Sequence, residues 1–239
     1  MGTAERRARE KTRRRQEILD AARLEFFERG FHDPTVDDVA ARAEVSKGTI
    51  YLYFVSKEEI LAHLLLEGLA LLLDDMEVVC QRQPTLPPEP ALRALAAAYL
   101  SFCQSNPSYF RLIMAFDRGR FEESISTVLY QQVLDHSLQG LSLVAQTIEC
   151  GAASGEFDVA DPWQAAGSMW AALNGVLVLM AHPLRQRMLR SDLETMFQAT
   201  LDLVTKGLKR KPQGQQTHQM SSGAQPTGPE SQIQEEAAT

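Results

Sequence analysis

Apolar side chains recur at intervals of three and four residues along most of this chain, and that spacing restricts what it can fold into. Runs of alternating β-branched residues bounded by turn signals, which indicate strands, do not occur in the sequence. With 44% hydrophobic residues in 239, the chain can bury a sizeable core. We therefore expect an all-α protein of about nine helices.

Four prolines between Pro84 and Pro90 divide the predicted helices into two groups. The first group has a helix at about 13–29, two short helices capped by Thr35 and Ser46 that end near residues 43 and 54, and a long helix at about 57–80. The second group is acidic overall. Its helices are predicted at about 90–104, 106–114, 122–150, 162–181 and 191–209, with Ser191 as the cap of the last.

Charge is distributed unevenly along the chain. The formal net charge is -7, yet residues 1–57 carry 12 Lys/Arg against 10 Asp/Glu, whereas the remainder carries 12 against 21. The positive charge concentrates in Glu5–Arg15, where seven of eleven residues are Arg or Lys. A uniformly basic coat for nucleic acid is thus excluded, but residues 1–15 form a local basic arm.

Cysteine usage and the N-terminus indicate a cytoplasmic protein, and no cofactor is expected. Cys80, Cys103 and Cys150 lie far apart with no CxxC pair, so neither a disulfide framework nor a thiolate zinc site is indicated. No apolar segment follows the basic N-terminal residues, so no signal peptide is expected.

From Pro162 to Leu184 the chain has 23 uncharged residues, about the length of a membrane span. The polar residues within this segment and its start at Asp161–Pro162 favour a helix buried in protein instead.

Two short helices joined by a tight turn, after a longer helix and a basic arm, have the layout of a helix-turn-helix DNA reader. Val39, Ala40, Val45 and Ile50 lie where two steeply crossing helices must touch. Ile50 and Phe54, four residues apart, share the inward face.

The outward face of the second short helix carries the chemistry expected of a DNA contact. It pairs Lys47 with Tyr51 and Thr49 with Tyr53, each four residues apart. A tyrosine ring can lie against a sugar or a thymine methyl group while its hydroxyl reaches a phosphate oxygen. Gly48 keeps the helix start thin enough to enter the major groove. A plain helical hairpin with polar surface groups is the alternative.

The stretch TVDDVAARAEVSKGTIYLYFVSKEEILAHLL, Thr35 to Leu65, resembles the tetracycline-repressor (TetR) family of bacterial transcriptional regulators. The resemblance is strong over about residues 16–66 and elsewhere rests on helix order. The positions that match the family pattern are Thr35, Ala40, Val45, Ser46, Gly48, Tyr51, Tyr53, Phe54, Lys57 and Leu61.

The resemblance implies which residues touch DNA. Thr35 would contact phosphate at the start of the second helix, and Lys57 would anchor phosphate at the start of the fourth. The expected DNA-binding set is Thr35, Ser46, Lys47, Gly48, Thr49, Tyr51, Tyr53 and Lys57. Glu44 stands where the family usually has glycine, and a left-handed conformation there costs on the order of 1 kcal/mol. Either the turn has a different geometry from the family's, or Glu44 adopts the strained left-handed conformation. No contact with a DNA base is expected from Glu44.

A recognition helix reads only a few base pairs, so specificity calls for a homodimer on a palindromic operator of double-stranded DNA. Gly167, Ala171 and Gly175 recur every four residues and form a smooth ridge. Internal packing is the alternative, but dimerisation is favoured because this helix lacks charge on every side. The resemblance implies that the last two helices pair with their copies in a four-helix bundle, with residues 191–209 as the second.

The resemblance also implies an effector cavity in the acidic helical body. Candidate lining residues, each of which would serve equally as core, are Phe102, Phe110, Met114, Phe121, Leu138, Trp170 and Asn174. The expected function is a ligand-responsive regulator, a repressor released by a small, mostly apolar effector when the long helix moves the two DNA-reading ends out of register. Activation by the ligand stays open. As a DNA-binding regulator, the protein is expected to be associated with the nucleoid in the cytoplasm.

Three rivals remain beside that function. An enzyme is not expected, because the five histidines are isolated and neither HExxH nor GxSxG occurs. The alternative is a DNA-binding regulator controlled by a metal, by thiol redox through Cys103, His136 or Cys150, or by a protein partner.

The expected organisation is a basic arm (1–15), a helix-turn-helix domain (13–57), an effector-binding and dimerisation domain (58–210) and a tail (211–239). The tail is expected to be disordered, because 19 of its 29 residues are Pro, Gly, Gln, Ser or Thr.

Overall fold

The computed structural model describes residues 3–82, 85–116 and 121–209. This part of the chain has eleven helical segments and one isolated bridge, between Phe157 and Lys209, which confirms the all-α prediction. The tail at 211–239 lies outside the described residues. The segments are α1 (Thr3–Arg29), α2 (Val36–Arg42), α3 (Lys47–Tyr51), α4 (Lys57–Arg82), α5 (Pro88–Ser105), α6 (Pro107–Phe116), α7 (Phe121–Ser124), α8 (Thr127–Ala153), α9 (Pro162–Met180), α10 (Pro183–Leu189) and α11 (Leu193–Leu208).

The head consists of α1, α2, α3 and the start of α4, packed around one apolar cluster. Ile18, Ala22 and Phe26 form the predicted stripe of α1, and each is 0% exposed. Gly30 ends α1 with φ +89°, a conformation that glycine adopts without a side-chain clash. The carboxylate of Glu25 is buried and accepts hydrogen bonds from Arg29 and Arg42, which ties α2 to α1.

The body consists of the rest of α4 together with α5 to α11. Its cluster of buried side chains draws on α5, α6, α8, α9 and α11, with Phe102, Ile148 and Phe197 among its most buried members. Arg93 of α5 donates to Asp202 of α11 over 2.6 Å, so the last helix is fixed to the body. Helix α4 belongs to both parts, because Leu61 and Leu64 lie in the head cluster while Leu73 and Met76 lie farther along the body.

Several predicted helix bounds were wrong. Helix α1 begins at Thr3, ten residues before the predicted start, because Arg and Lys are good helix formers and pairs such as Arg13–Glu10 and Arg14–Glu17 support the exposed turns. Helix α3 ends at Tyr51 instead of near Phe54, since the chain must turn to bury Phe54 before α4 starts.

The C-terminal helices differ from the prediction in three places. The segment predicted at 122–150 is split into α7 and α8, and Ser126 caps α8 by accepting from Leu129 N. Helix α10 was not predicted; it is seven residues long, and none of its residues is buried. The cap of α11 is Asp192, which accepts from Thr195 N over 2.8 Å, and not Ser191.

Helix α9 buries only one of its faces in this chain. Met169, Leu173 and Leu177 lie in the core, whereas Ala171 and Val178 are exposed on the opposite side. In the described ranges, α9 and α10 pass the length and hydropathy requirement for a bilayer span only when taken together, and they meet at 108°; no helix passes it alone.

Candidate nucleic-acid interface and effector cavity

The turn between α2 and α3 closes with the hydrogen bonds of a Schellman motif. Val45 N donates to Ala40 O over 3.0 Å, and Glu44 N donates to Ala41 O over 3.2 Å. Glu44 occupies the left-handed position of this motif with φ +53°. Two possibilities were given for Glu44, a different turn or a strained backbone. The structure has the strained left-handed backbone at this residue.

Thr35 and Ser46 cap α2 and α3 as their positions predict. Thr35 Oγ1 accepts from Asp38 N over 3.3 Å, and Thr35 N donates to Asp38 Oδ2 over 2.7 Å, which makes a reciprocal capping box. The hydrogen bonds from Thr35, followed by that from Arg29, hold the pKa of the Asp38 carboxyl well below its usual range. Ser46 Oγ accepts from Thr49 N over 3.1 Å. Both helix starts are therefore fixed by local bonds.

The structure places the predicted recognition face on the surface. Ile50 is 0% and Phe54 1% exposed, so the head core holds the inward side of the motif. Tyr51 is 48% exposed, Lys47 and Gly48 are exposed, and Thr49 and Tyr53 are half-buried. Leu52 and Val55, which the sequence did not single out, extend this surface at 75% and 74% exposure.

Both predicted lysines have partners inside the head. Lys47 Nζ lies 2.8 Å from Asp37 Oδ2, and that hydrogen bond raises the pKa of Lys47. Lys57 Nζ donates to the carbonyl of His32 over 2.7 Å, and burial lowers its pKa. Their charge is thus held at defined positions at the ends of α3 and α4.

Arg15 links the basic arm to the end of the recognition motif, a role that its position in an arginine run did not reveal. Its guanidinium lies 4.9 Å from the ring centroid of Phe54. The same group lies 2.6 Å from His63 Nε2 of α4. Burial, followed by the charge of Arg15, lowers the pKa of His63 to about 4, so the imidazole is neutral near pH 7 and free to accept this hydrogen bond.

The ridge on α9 faces away from the rest of the chain. A Cβ atom added at Gly167 or Gly175 would meet nothing within 4 Å, and Ala171 is exposed. Val178 and Leu179 are also exposed on this side, and Leu203 of α11 is 71% exposed. Helices α9 and α11, which are predicted to form the dimer interface, therefore each have an exposed apolar face.

The predicted pocket residues do not converge on one cavity. Leu138 and Trp170 line a cavity of about 240 Å³ enclosed by α4, α5, α6, α8 and α9. Phe110 and Met114 line a different groove of about 630 Å³ between head and body. Phe102 lines neither, because its ring is packed in the body core. Asn174 is buried and lines neither cavity, and the side chain of Phe121 lies outside the described part.

Tyr99, which the sequence did not single out as a pocket residue, lines the smaller cavity and holds Asn174. Its hydroxyl donates to Asn174 Oδ1 over 2.5 Å. No local signal in a helical sequence distinguishes a core tyrosine from one that lines a cavity.

Two of the three thiols, Cys80 and Cys103, have little nucleophilic character at neutral pH. Burial raises the pKa of Cys103 to about 12 and also raises the pKa of Cys80. Across residues 3–82, 85–116 and 121–209, no three His, Cys, Asp or Glu side chains are grouped so that they could hold a metal ion.

Comparisons with known proteins match both parts of the chain. Residues 18–64 match the family model of bacterial regulatory proteins of the tetR family, and residues 92–204 match a tetracyclin repressor-like C-terminal domain. The HTH-type transcriptional regulator YhgD of Bacillus subtilis (strain 168) is 30% identical over 154 residues, which cover 62% of this chain and 74% of YhgD. The chain belongs to the TetR family.

It is accordingly a TetR-family transcriptional regulator, a bacterial DNA-binding protein with a helix-turn-helix motif. The fatty acid metabolism regulator protein of B. subtilis (strain 168) is 43% identical over 61 residues, which are 26% of this chain and 31% of that protein. The structure of FadR from B. subtilis in complex with stearoyl-CoA has the same fold, with a TM-score of 0.63 and 22% identity over 81% of this chain and 98% of FadR.

Proposed function

We propose that this TetR-family regulator binds a palindromic operator as a homodimer and leaves it when a small, mostly apolar effector enters the body. The observation that carries the proposal is the outward face of α3, where Lys47 and Tyr51 are exposed and Thr49 and Tyr53 half-buried, above the buried Ile50 and Phe54. A surface with a cation and two hydroxyl-bearing rings on a short capped helix suits the major groove.

The positive charge needed for phosphate contacts comes from the basic arm and the helix starts. Arg6, Arg7 and Lys11 are exposed on the first turns of α1. Arg15 leads from that arm to Phe54 at the end of the recognition motif, so the arm and the motif would approach the same stretch of duplex. Thr35 and Lys57 would add phosphate contacts on either side.

The homodimer would form through α9 and α11. Gly167, Ala171 and Gly175 provide a flat strip along which a second helix can approach closely, and the strip carries no charge. Burial of the exposed Trp163, Val178 and Leu203 would stabilise the pair at roughly 25 cal/mol for each Å² of apolar surface removed from water.

Release by the effector would pass through α4 and α6, which contact both the cavity and the head. Ile113 of α6 lines the cavity, whereas its neighbour Leu112 belongs to the head cluster. Tyr109 of α6 packs edge-on against Phe27 of α1, with ring centroids 4.8 Å apart. A guest that displaces α6 would therefore shift α1, and the spacing of the two recognition helices would change.

The FadR structure, which is a complex with stearoyl-CoA, supports control of this regulator by a small molecule. Control by thiol redox through Cys103 is less favoured, because Cys103 is buried and its raised pKa keeps it protonated. Control by a protein partner predicts the same DNA contacts but no guest in the cavity.

DNA reading is tested by selecting operators from a random duplex library and measuring affinity by fluorescence anisotropy. Tyr51→Ala should weaken the selected operator by at least about thirty-fold, because each of two protomers loses a contact worth about 1–3 kcal/mol. Val128→Ala, on an exposed position of the body, is the matched control and should change nothing. Loss of helical circular dichroism in Tyr51→Ala would instead show that the ring is part of the fold.

The dimer is tested separately by light scattering after size-exclusion chromatography. Ala171→Glu would bring two carboxylates together across the axis, so the protein should elute as a monomer and lose palindrome binding. Ala97→Glu introduces the same charge at an exposed position of α5 and should remain dimeric. A dimeric Ala171→Glu protein would contradict the α9 interface.

A further inference from the structure

Leu52 is the most exposed large apolar residue in the described part of the chain, with 75% of its surface open to solvent. A single exposed leucine is common on protein surfaces, so its meaning depends on where it lies and which way it points. Leu52 ends α3, and its backbone is still helical, with φ -74° and ψ -16°. The helical periodicity of the recognition helix therefore extends to this residue.

Leu52 points away from the head core. Successive residues of an α-helix are rotated by about 100°, so residues two apart point to nearly opposite sides. Ile50 is 0% exposed in the core, which places Leu52 near the centre of the outward side. Gly48, one turn earlier, shares that side and is exposed. A Cβ atom at Gly48 would meet only Ser46 Oγ, at 3.8 Å, so a duplex can approach the helix closely here and meet the Leu52 side chain.

The polar side chains near Leu52 on α3 are engaged within the head. Lys47 Nζ donates to Asp37 Oδ2 over 2.8 Å, and Thr49 Oγ1 lies 2.9 Å from Ser46 Oγ. Leu52 has no polar atom in its side chain, so it can recognise only an apolar group of the major groove. That group is the C5 methyl of thymine, because the other groups that distinguish the base pairs there are hydrogen-bond donors and acceptors.

The surroundings of Leu52 favour duplex DNA over a protein as the partner of this face. Residues 18–64, which include Leu52, match the family model of bacterial regulatory proteins of the tetR family. The exposed cations of the basic arm lead through Arg15 to the ring of Phe54, two residues after Leu52. A polyanionic duplex is thus attracted to the part of the head that carries this leucine.

We propose that Leu52 selects thymine at one position of each operator half-site by packing against its C5 methyl group in the major groove. The proposal rests on the proposed function, since it names the base that the recognition face reads. Leu52 is then a specificity-determining residue, and T·A pairs are preferred over C·G pairs at that position.

The experiment uses an operator that the purified full-length protein selects from a random duplex library. At each thymine of a half-site in turn, both symmetry-related copies are replaced by uracil, which lacks only the methyl group. Loss of one methyl contact should raise the Kd about fourfold for each half-site, and so about fifteenfold for the pair. Cytosine and 5-methylcytosine at the same position should differ by a similar factor, because the methyl group is again the sole difference.

Three variants assign the methyl contact to Leu52. Leu52→Ala should fold normally, because the side chain is exposed, and it should bind the thymine and uracil operators with similar Kd values. Leu52→Met keeps an apolar side chain of similar volume and should retain most of the discrimination. Leu24→Ala makes the same truncation at an exposed leucine on α1 of the same head and should retain all of it.

The outcomes separate this inference from the proposed function. Equal Kd values of the natural protein for the thymine and uracil operators at every position would overturn the inference alone. A uracil effect that persists in Leu52→Ala would overturn it too, and its loss in Tyr51→Ala instead would assign the methyl contact to the tyrosine ring. Failure to select any operator would refute the proposed function, and the inference with it.

Discussion

His63 should make the folding stability of this protein depend on pH, and the substitution His63→Gln should remove that dependence. Its pKa is lowered from an ordinary value of 6.5 to about 4 by burial and by the Arg15 guanidinium, while Glu59 acts in the opposite direction. Because the folded pKa lies below the unfolded one, the unfolded chain takes up the proton first as pH falls. The stability is complete above about pH 6.5 and is lost progressively down to about pH 4.

The magnitude follows from the two pKa values. At pH 5 the unfolded His63 is almost fully protonated and the folded one is mostly neutral, so linkage alone gives about 2 kcal/mol relative to pH 7. The side chain retains 21% of its exposure, and solvent screening reduces the expected loss to about 1 kcal/mol. His63→Gln keeps an acceptor for Arg15 but does not titrate.

Urea unfolding at pH 7 and pH 5 measures this difference directly. The natural protein should lose about 1 kcal/mol more than His63→Gln between the two pH values, and the other histidines cancel because both proteins contain them. Operator affinity of the natural protein should also fall toward pH 5, since a protonated imidazole repels Arg15 and releases it from Phe54. Equal pH dependence of the two proteins would refute the assignment of a neutral, buried His63.

Three glycine-related changes give further expected outcomes. Gly48→Ala should leave the melting temperature unchanged or higher, since its Cβ would meet only Ser46 Oγ at 3.8 Å, yet lower operator affinity in anisotropy assays about tenfold by thickening α3. Glu44→Gly should stabilise the head by up to about 1 kcal/mol in urea unfolding and strengthen DNA binding at low salt, because strain and a carboxylate disappear. Gly151→Ala should destabilise by about 1–3 kcal/mol, since its Cβ would lie 2.1 Å from the Phe157 ring, whereas Gly140→Ala should not; equal melting temperatures would contradict this packing.

Local interactions made much of the head predictable from the sequence. Capping bonds reach only three residues, so Thr35 and Ser46 could be assigned without knowledge of the rest of the chain. The same holds for the left-handed end of α1 at Gly30 and for the inward side of α3 at Ile50. Spacing of three and four residues fixes which side chains share a helix face, and it does so before any helix packs.

Long-range packing decided where the candidate effector site lies. Phe102 and Tyr99 lie on the same helix with similar spacing, yet Phe102 fills the core and Tyr99 lines the cavity. Phe110 and Trp170 belong to different hollows for the same reason, since which apolar stripes meet depends on how five helices cross.

The sequence by itself therefore determined the helical class, the helix-turn-helix motif and its outward face, because these depend on bonds and periodicities within a few residues. Only the tertiary structure decided that Arg15 meets Phe54 and His63, and that Tyr99 lines the smaller cavity and donates to Asn174. Those features join residues far apart in the chain, and their energies exist only once the helices have packed.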